Sequence, residues 1–131
     1  MRRIIALAVL LVGPAAALAE MSAAEFDAYT RGKTFHYGAE GAEPYGAEEY
    51  LPGRRVRWSF LDGECQDGYW YPDGARICFV YETEPEPQCW RFERGTGRLE
   101  ARFDGNEGVT ELYEMHRSRE PLSCPGPKVG V

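Results

Sequence analysis

From Lys33 to Met115 the sequence carries no helical periodicity: short runs that alternate apolar and polar residues are cut by Gly- and Pro-bearing turns. An alternating run has one apolar face and one polar face, the pattern of a half-buried β-strand. Eight runs qualify: Lys33–Tyr37, Tyr45–Leu51, Arg54–Leu61, Gly68–Tyr71, Arg76–Glu82, Gln88–Arg94, Arg98–Phe103 and Val109–Met115. Connections this short favour antiparallel neighbours, and closing the sheet on itself would remove its exposed edges. The chain is therefore expected to be all-β. It should form an antiparallel up-and-down meander closing into an eight-stranded barrel of the lipocalin or avidin kind, with one short N-terminal helix.

That helix is signalled by Ser22 and Glu25 in S-x-x-E spacing, a capping box, with Met21 and Phe26 at the two positions of a hydrophobic staple. Gly32 supplies the C-cap. The spacing predicts a helix from Ala23 to Arg31 that turns Phe26, and with it Tyr29, towards the body of the protein to close one end.

The stretch Asp62–Phe92 concentrates three of the four cysteines and two of the three tryptophans around a Pro72-Asp73-Gly74 turn signal. Tyr50, Gly53, Arg55, Val56 and Trp58 recur in step as Tyr71, Gly74, Arg76, Ile77 and Phe79, which reads as one hairpin geometry used twice within a single domain. Alternation places Val56, Trp58, Phe60, Ile77, Phe79, Tyr81, Trp90, Phe92, Leu99, Ala101 and Phe103 on a crowded aromatic inner face. Arg55, Arg57, Arg76, Cys78, Cys89 and Arg91 fall on a charged outer face, where cross-strand ion pairs are worth only about 0–1 kcal/mol each.

Residues 1–19 read as a secretory signal peptide: Arg2 and Arg3, an apolar run Ile4–Val12, and a small-x-small site at Ala17-Leu18-Ala19. The apolar run is too short for a membrane span, which needs about 20 residues. The expected organisation is a β-domain over 20–117 and a Pro/Gly-rich tail over 118–131, in the periplasm or secreted. Loss of Arg2 and Arg3 leaves 13 basic against 21 acidic side chains, a net charge of −8. Such a surface argues against nucleic acid and anionic membrane as partners and favours a basic one.

Cys65, Cys78, Cys89 and Cys124 form an even set in an exported chain, hence two disulfides with three possible connectivities. Zinc would want close C-x₂₋₄-C pairs, and the gaps here are 12, 10 and 34 residues. Cys78 and Cys89 share an outer face across a hairpin centred near Thr83 and Glu84, where directly opposed Cβ atoms lie about 4 Å apart. The expected pairing is Cys78–Cys89, which leaves Cys65–Cys124 to pin the tail.

The run Cys78-Phe79-Val80-Tyr81, followed by Cys89-Trp90 and preceded by Gly32-Lys33-Thr34 and Gly68-Tyr69-Trp70, resembles a pattern of small exported bacterial proteins of unknown function. The resemblance covers roughly Gly32 to Phe103. It implies an exported β-domain with a Cys78–Cys89 bridge and transfers no activity, ligand or catalytic residue; Cys65 and Cys124 stand outside the pattern.

Chemistry has little to build on. None of Ser22, Ser59, Ser118 and Ser123 sits in G-x-S-x-G, and bridged cysteines offer no thiolate. His36 and His116 would meet if the first and last strands pair, but a metal site would need a third ligand such as Glu40 or Glu114, and no spacing motif supplies one. Asp104-Gly105-Asn106-Glu107-Gly108 lacks later ligands of a calcium loop and reads as a turn. No cofactor motif occurs.

Two functional readings remain ahead of a third, a hydrolase using loop carboxylates from the groups Glu40, Glu43, Glu48, Glu49 and Glu82, Glu84, Glu86. The first is a non-enzymatic protein-interaction module whose acidic loop, Glu82, Glu84 and Glu86, engages a basic partner such as a lysozyme. The second is a small-ligand barrel lined by Trp58, Trp70, Phe79, Tyr81 and Trp90. With so many rings inside, the interior is expected to be filled by its own side chains.

Overall fold

A computed structural model describes residue 13 and residues 20–105 and 108–126. The leader expected over 1–19, residue 13 apart, lies outside the described residues, as do Asn106 and Glu107 and the tail from 127. The elements run α1 (Ala23–Thr30), β1 (Thr34–Gly38), β2 (Gly46–Tyr50), a 3₁₀ turn (Pro52–Arg54), β3 (Arg55–Ser59), β4 (Gln66–Asp73), β5 (Arg76–Tyr81), β6 (Glu84–Arg94), β7 (Leu99–Gly105) and β8 (Gly108–Ser118). Each strand pairs antiparallel with the next, and β8 returns to pair with β1. Among the described residues the meander is a closed eight-stranded barrel with one short α-helix.

The helix forms where its caps are. Ser22 Oγ accepts from the Glu25 amide at 3.2 Å, and Glu25 Oε1 accepts from the Ser22 amide at 3.4 Å. Gly32, at φ 76°, turns the chain out of the helix into β1. Phe26 is 0% exposed. Its ring meets Tyr50 and Trp70 edge-on at 5.5 and 5.2 Å and lies 4.5 Å from Phe92. The helix therefore plugs the barrel end at which β1 begins and β2 finishes.

The two hairpins of the sequence repeat lie at this same plugged end. Gly53 and Gly74, at φ 72° and 60°, make their turns, and Val56 and Ile77 emerge from them fully buried. The opposite end carries the β1–β2, β3–β4, β5–β6 and β7–β8 connections. No plug of its own covers it among the described residues.

Both expected disulfides are present. Cys78 and Cys89 face each other directly across β5 and β6, with Cα atoms 3.9 Å apart. Cys65–Cys124, with Cα atoms 5.6 Å apart, holds the tail against the outside of the barrel. There Thr34 Oγ1 donates to the Glu120 carbonyl, the Leu122 amide donates to Glu49 Oε2, and the Gly126 amide donates to the Gly63 carbonyl. On the outer wall Arg57 pairs with Asp67, Arg76 with Asp73 and Arg91 with Glu20. Among the described residues no helix is long and apolar enough to cross a membrane.

Several expectations change. Glu48 and Glu49 are not loop charges: they lie in β2, which is buried on both faces because the barrel interior takes one side and the tail covers the other. Phe60 lies beyond the end of β3 and is 47% exposed. The acidic loop contracts to the two-residue turn Glu82-Thr83, since Glu84 pairs with Tyr81. Pro85 and Pro87 fall within β6, where a ladder irregularity opposite Phe79–Tyr81 absorbs two residues that cannot donate a backbone hydrogen bond. Cys78 faces outward as expected but is wholly buried.

Candidate functional site

Rings fill the plugged end of the barrel, but not its full length. A cavity of about 600 Å³ opens at the end away from α1. The expectation of a filled interior is thus corrected at the open end. The physical reason is an uneven distribution of bulk. Phe26, Trp70, Tyr50 and Phe92 crowd together beside α1, whereas Gly46 and Ala101 present little or no side chain higher up. A Cβ at Gly46 would come 2.2 Å from the Trp58 ring, so the missing side chain is what makes room for that indole.

The walls are aromatic. Trp58, Phe79, Tyr81 and Trp90, four of the five residues proposed from sequence, line the cavity. Trp90 packs against Phe103 at 5.1 Å, and Trp58 against Phe60 and Tyr45 at 5.4 and 6.0 Å. Tyr45, 56% exposed, and Phe60 carry this aromatic wall out to the rim. Trp70 is the exception. It points the right way but sits a layer too deep, pressed under Phe26, with the Arg54 guanidinium 4.9 Å from its ring.

Among the described residues one buried carboxyl lines this cavity. Glu48 projects from β2 between Phe35 of β1 and Trp58 of β3 and is 2% exposed. The Tyr81 hydroxyl donates to its Oε1 at 2.8 Å, while Oε2 is buried without a hydrogen-bond partner. Burial raises the Glu48 pKa well above the ordinary carboxylate value, and the Tyr81 hydrogen bond offsets this only in part. Tyr37 and Tyr50 share a hydrogen bond of 2.8 Å between their hydroxyls, and burial likewise raises both phenols.

A second inward carboxyl, Glu114 of β8, is fully engaged. It accepts from the Leu99 amide at 2.8 Å and the Tyr29 hydroxyl at 3.1 Å, and it lies 3.5 Å from Arg117. The contrast isolates Glu48 as the buried acid with unspent capacity. Sequence reading missed it by grouping it with neighbouring glutamates. The signal was there: Glu48 has the same parity as Tyr50 within an expected strand, so it had to face inward if Tyr50 did.

The remaining candidates fall outside the cavity or at its edge. Glu84 lines the rim, Glu82 sits in the adjoining turn and Glu86 follows in β6, all three exposed. His36 and His116 are register partners on the outer wall with rings 5.5 Å apart, and burial together with His116 lowers the His36 pKa. Neither suggested third ligand joins them, since Glu40 pairs with Arg98 and Glu114 faces inward. Among the described residues no three His, Cys, Asp or Glu side chains are placed to hold a metal ion.

Compared with protein family models, curated proteins and solved structures, the chain finds no match in any of the three.

Proposed function

We propose that the chain is an exported, non-enzymatic binding protein whose barrel takes one small, largely apolar molecule through its open end. The observation that carries this reading is the aromatic-walled cavity of about 600 Å³ with a single buried carboxyl inside. Ligand sites generally run from about 300 to 1,000 Å³, with apolar walls and a few convergent polar groups. Two disulfides suit an oxidising compartment, the periplasm or the cell exterior. A hydrolase would set two carboxyls across one cleft. Here Glu43 and Glu84 stand at the exposed rim and Glu48 alone is buried within the cavity.

The test uses Nile red, a neutral dye that brightens in dry surroundings. Its fluorescence should rise with the protein and saturate at one site. Leu112→Trp, which places an indole in the cavity, should abolish the rise while leaving the unfolding transition cooperative. Equal fluorescence with both proteins would count against the cavity as the site.

A second reading, a protein-interaction module for a basic partner such as a lysozyme, is favoured by one observation. Glu84 shares the cavity rim with the exposed rings of Tyr45 and Phe60, and exposed Glu82 and Glu86 flank it along the chain, a charged and apolar rim of the kind partners dock on. Replacing the three glutamates with glutamine should then weaken lysozyme binding most at low salt.

A further inference from the structure

Among the described residues that line the cavity Glu43, Glu48 and Glu84 are acidic, and none is Lys, Arg or His. An anionic ligand would enter with no counter-charge and would face a buried carboxyl. A neutral ligand would gain the apolar walls but need not satisfy Glu48.

The Glu48 carboxyl is half engaged. Tyr81 fills Oε1, Oε2 is buried and unpartnered, and Glu48 is one of the residues that line the cavity. Leaving a buried polar atom unmade is costly, so a ligand that completes it gains more than a surface hydrogen bond would give. Tyr81, Phe79, Trp58 and Trp90 line the same cavity, and aromatic rings attract a cation that comes over their faces. The exposed Glu43 and Glu84 at the rim would draw a cation towards the opening.

We infer that the cavity selects a small organic cation: an aromatic or aliphatic body bearing a protonated amine whose N–H donates to the Glu48 carboxylate, the side chain turning its unpartnered oxygen to meet it. The assignment rests on the ligand-binding reading above and names the class of ligand for that same site. Charge balances on binding. In the empty barrel burial favours the protonated carboxyl; the arriving ammonium replaces that proton, which leaves to water, so the cavity holds one cation and one carboxylate. The titratable groups facing Glu48 are the phenols of Tyr81 from β5, Tyr37 from β1 and Tyr50 from β2, all with raised pKa values and so neutral throughout.

Three probes of matched shape separate the possibilities by calorimetry: tryptamine, tryptophol and indoleacetate, which carry an ammonium, a hydroxyl and a carboxylate on one indole. Tryptamine should bind about tenfold or more tighter than tryptophol, as expected for a hydrogen bond to a charged group, and indoleacetate weakest. Glu48→Gln should erase the preference for tryptamine over tryptophol, with near-ultraviolet circular dichroism reporting that the barrel is intact. The comparison in the unmodified protein decides the matter even if that variant folds poorly. Should Nile red bind while tryptophol matches or exceeds tryptamine, the amine assignment fails alone. Should Nile red and all three indoles fail to bind, the ligand-binding reading fails with it.

Discussion

Gly68 lies directly opposite Tyr81 across β4 and β5, and the tyrosine ring occupies the space a side chain at Gly68 would need. A Cβ there would come 2.8 Å from Tyr81 Cδ1 and 2.3 Å from the Val80 carbonyl oxygen. The glycine thus fixes the ring that holds Glu48. Gly68→Ala should destabilise the barrel by about 1–3 kcal/mol, the usual range for overpacking. Urea unfolding measures this directly, and a change within error would mean that the strands can part at no cost.

Phe26 is the most enclosed side chain of the plug, fully buried among four rings, with Thr30 buried beside it and Tyr29 bonded to Glu114. Phe26→Ala should cost about 3–5 kcal/mol by the transfer and cavity terms together. The helix should then come away before the barrel does. Brief proteolysis that cuts the variant between 20 and 31 faster than the parent would show it; equal cutting would place the helix's anchorage elsewhere.

Glu48 sets a pH dependence whose sign follows from its shift. The folded-state pKa is raised above the ordinary 4.5, so the folded protein holds this proton more tightly than the unfolded chain. Its contribution is fully present below about 4.5 and is lost as pH rises through the folded-state value. The unliganded protein should therefore lose thermal stability relative to Glu48→Gln as pH is raised from acid towards alkaline. Parallel melting curves for the two across that range would refute the burial argument.

The two disulfides differ in the length of chain they close, 59 residues for Cys65–Cys124 and 11 for Cys78–Cys89. Loop-closure entropy assigns them about 4 and about 3 kcal/mol respectively. The paired variant Cys65→Ala with Cys124→Ala should also free the tail from β2 and raise amide exchange at Leu122, which donates to Glu49. Removing Cys78 and Cys89 should leave Leu122 protected.

Much of the architecture was legible because it follows from local rules. The capping box at Ser22 and Glu25, the period-2 runs and the opposed Cys78 and Cys89 each needed only near neighbours in sequence. The cavity was not legible, because packing depends on which layer a ring occupies. Trp58 and Trp70 are both inward-facing tryptophans on adjacent strands, yet only Trp58 reaches the void. Glu48 was hidden for another reason: four glutamates between Glu40 and Glu49 look alike in composition, and only strand parity together with the tail's cover over β2 separates them.

The seam between β1 and β8 has a kinetic meaning. Thr34 pairs with Ser118 and Gly38 with Tyr113, so the sheet cannot close until its most distant strands have found each other. Non-local pairing of this sort slows folding, since loop entropy must be lost before the contact forms. During synthesis β1 is made long before β8 and waits with one unpaired edge, a template for another chain. The sheet's most exposed moment therefore comes before its last strand arrives, when the β1 edge that β8 will cover is still open.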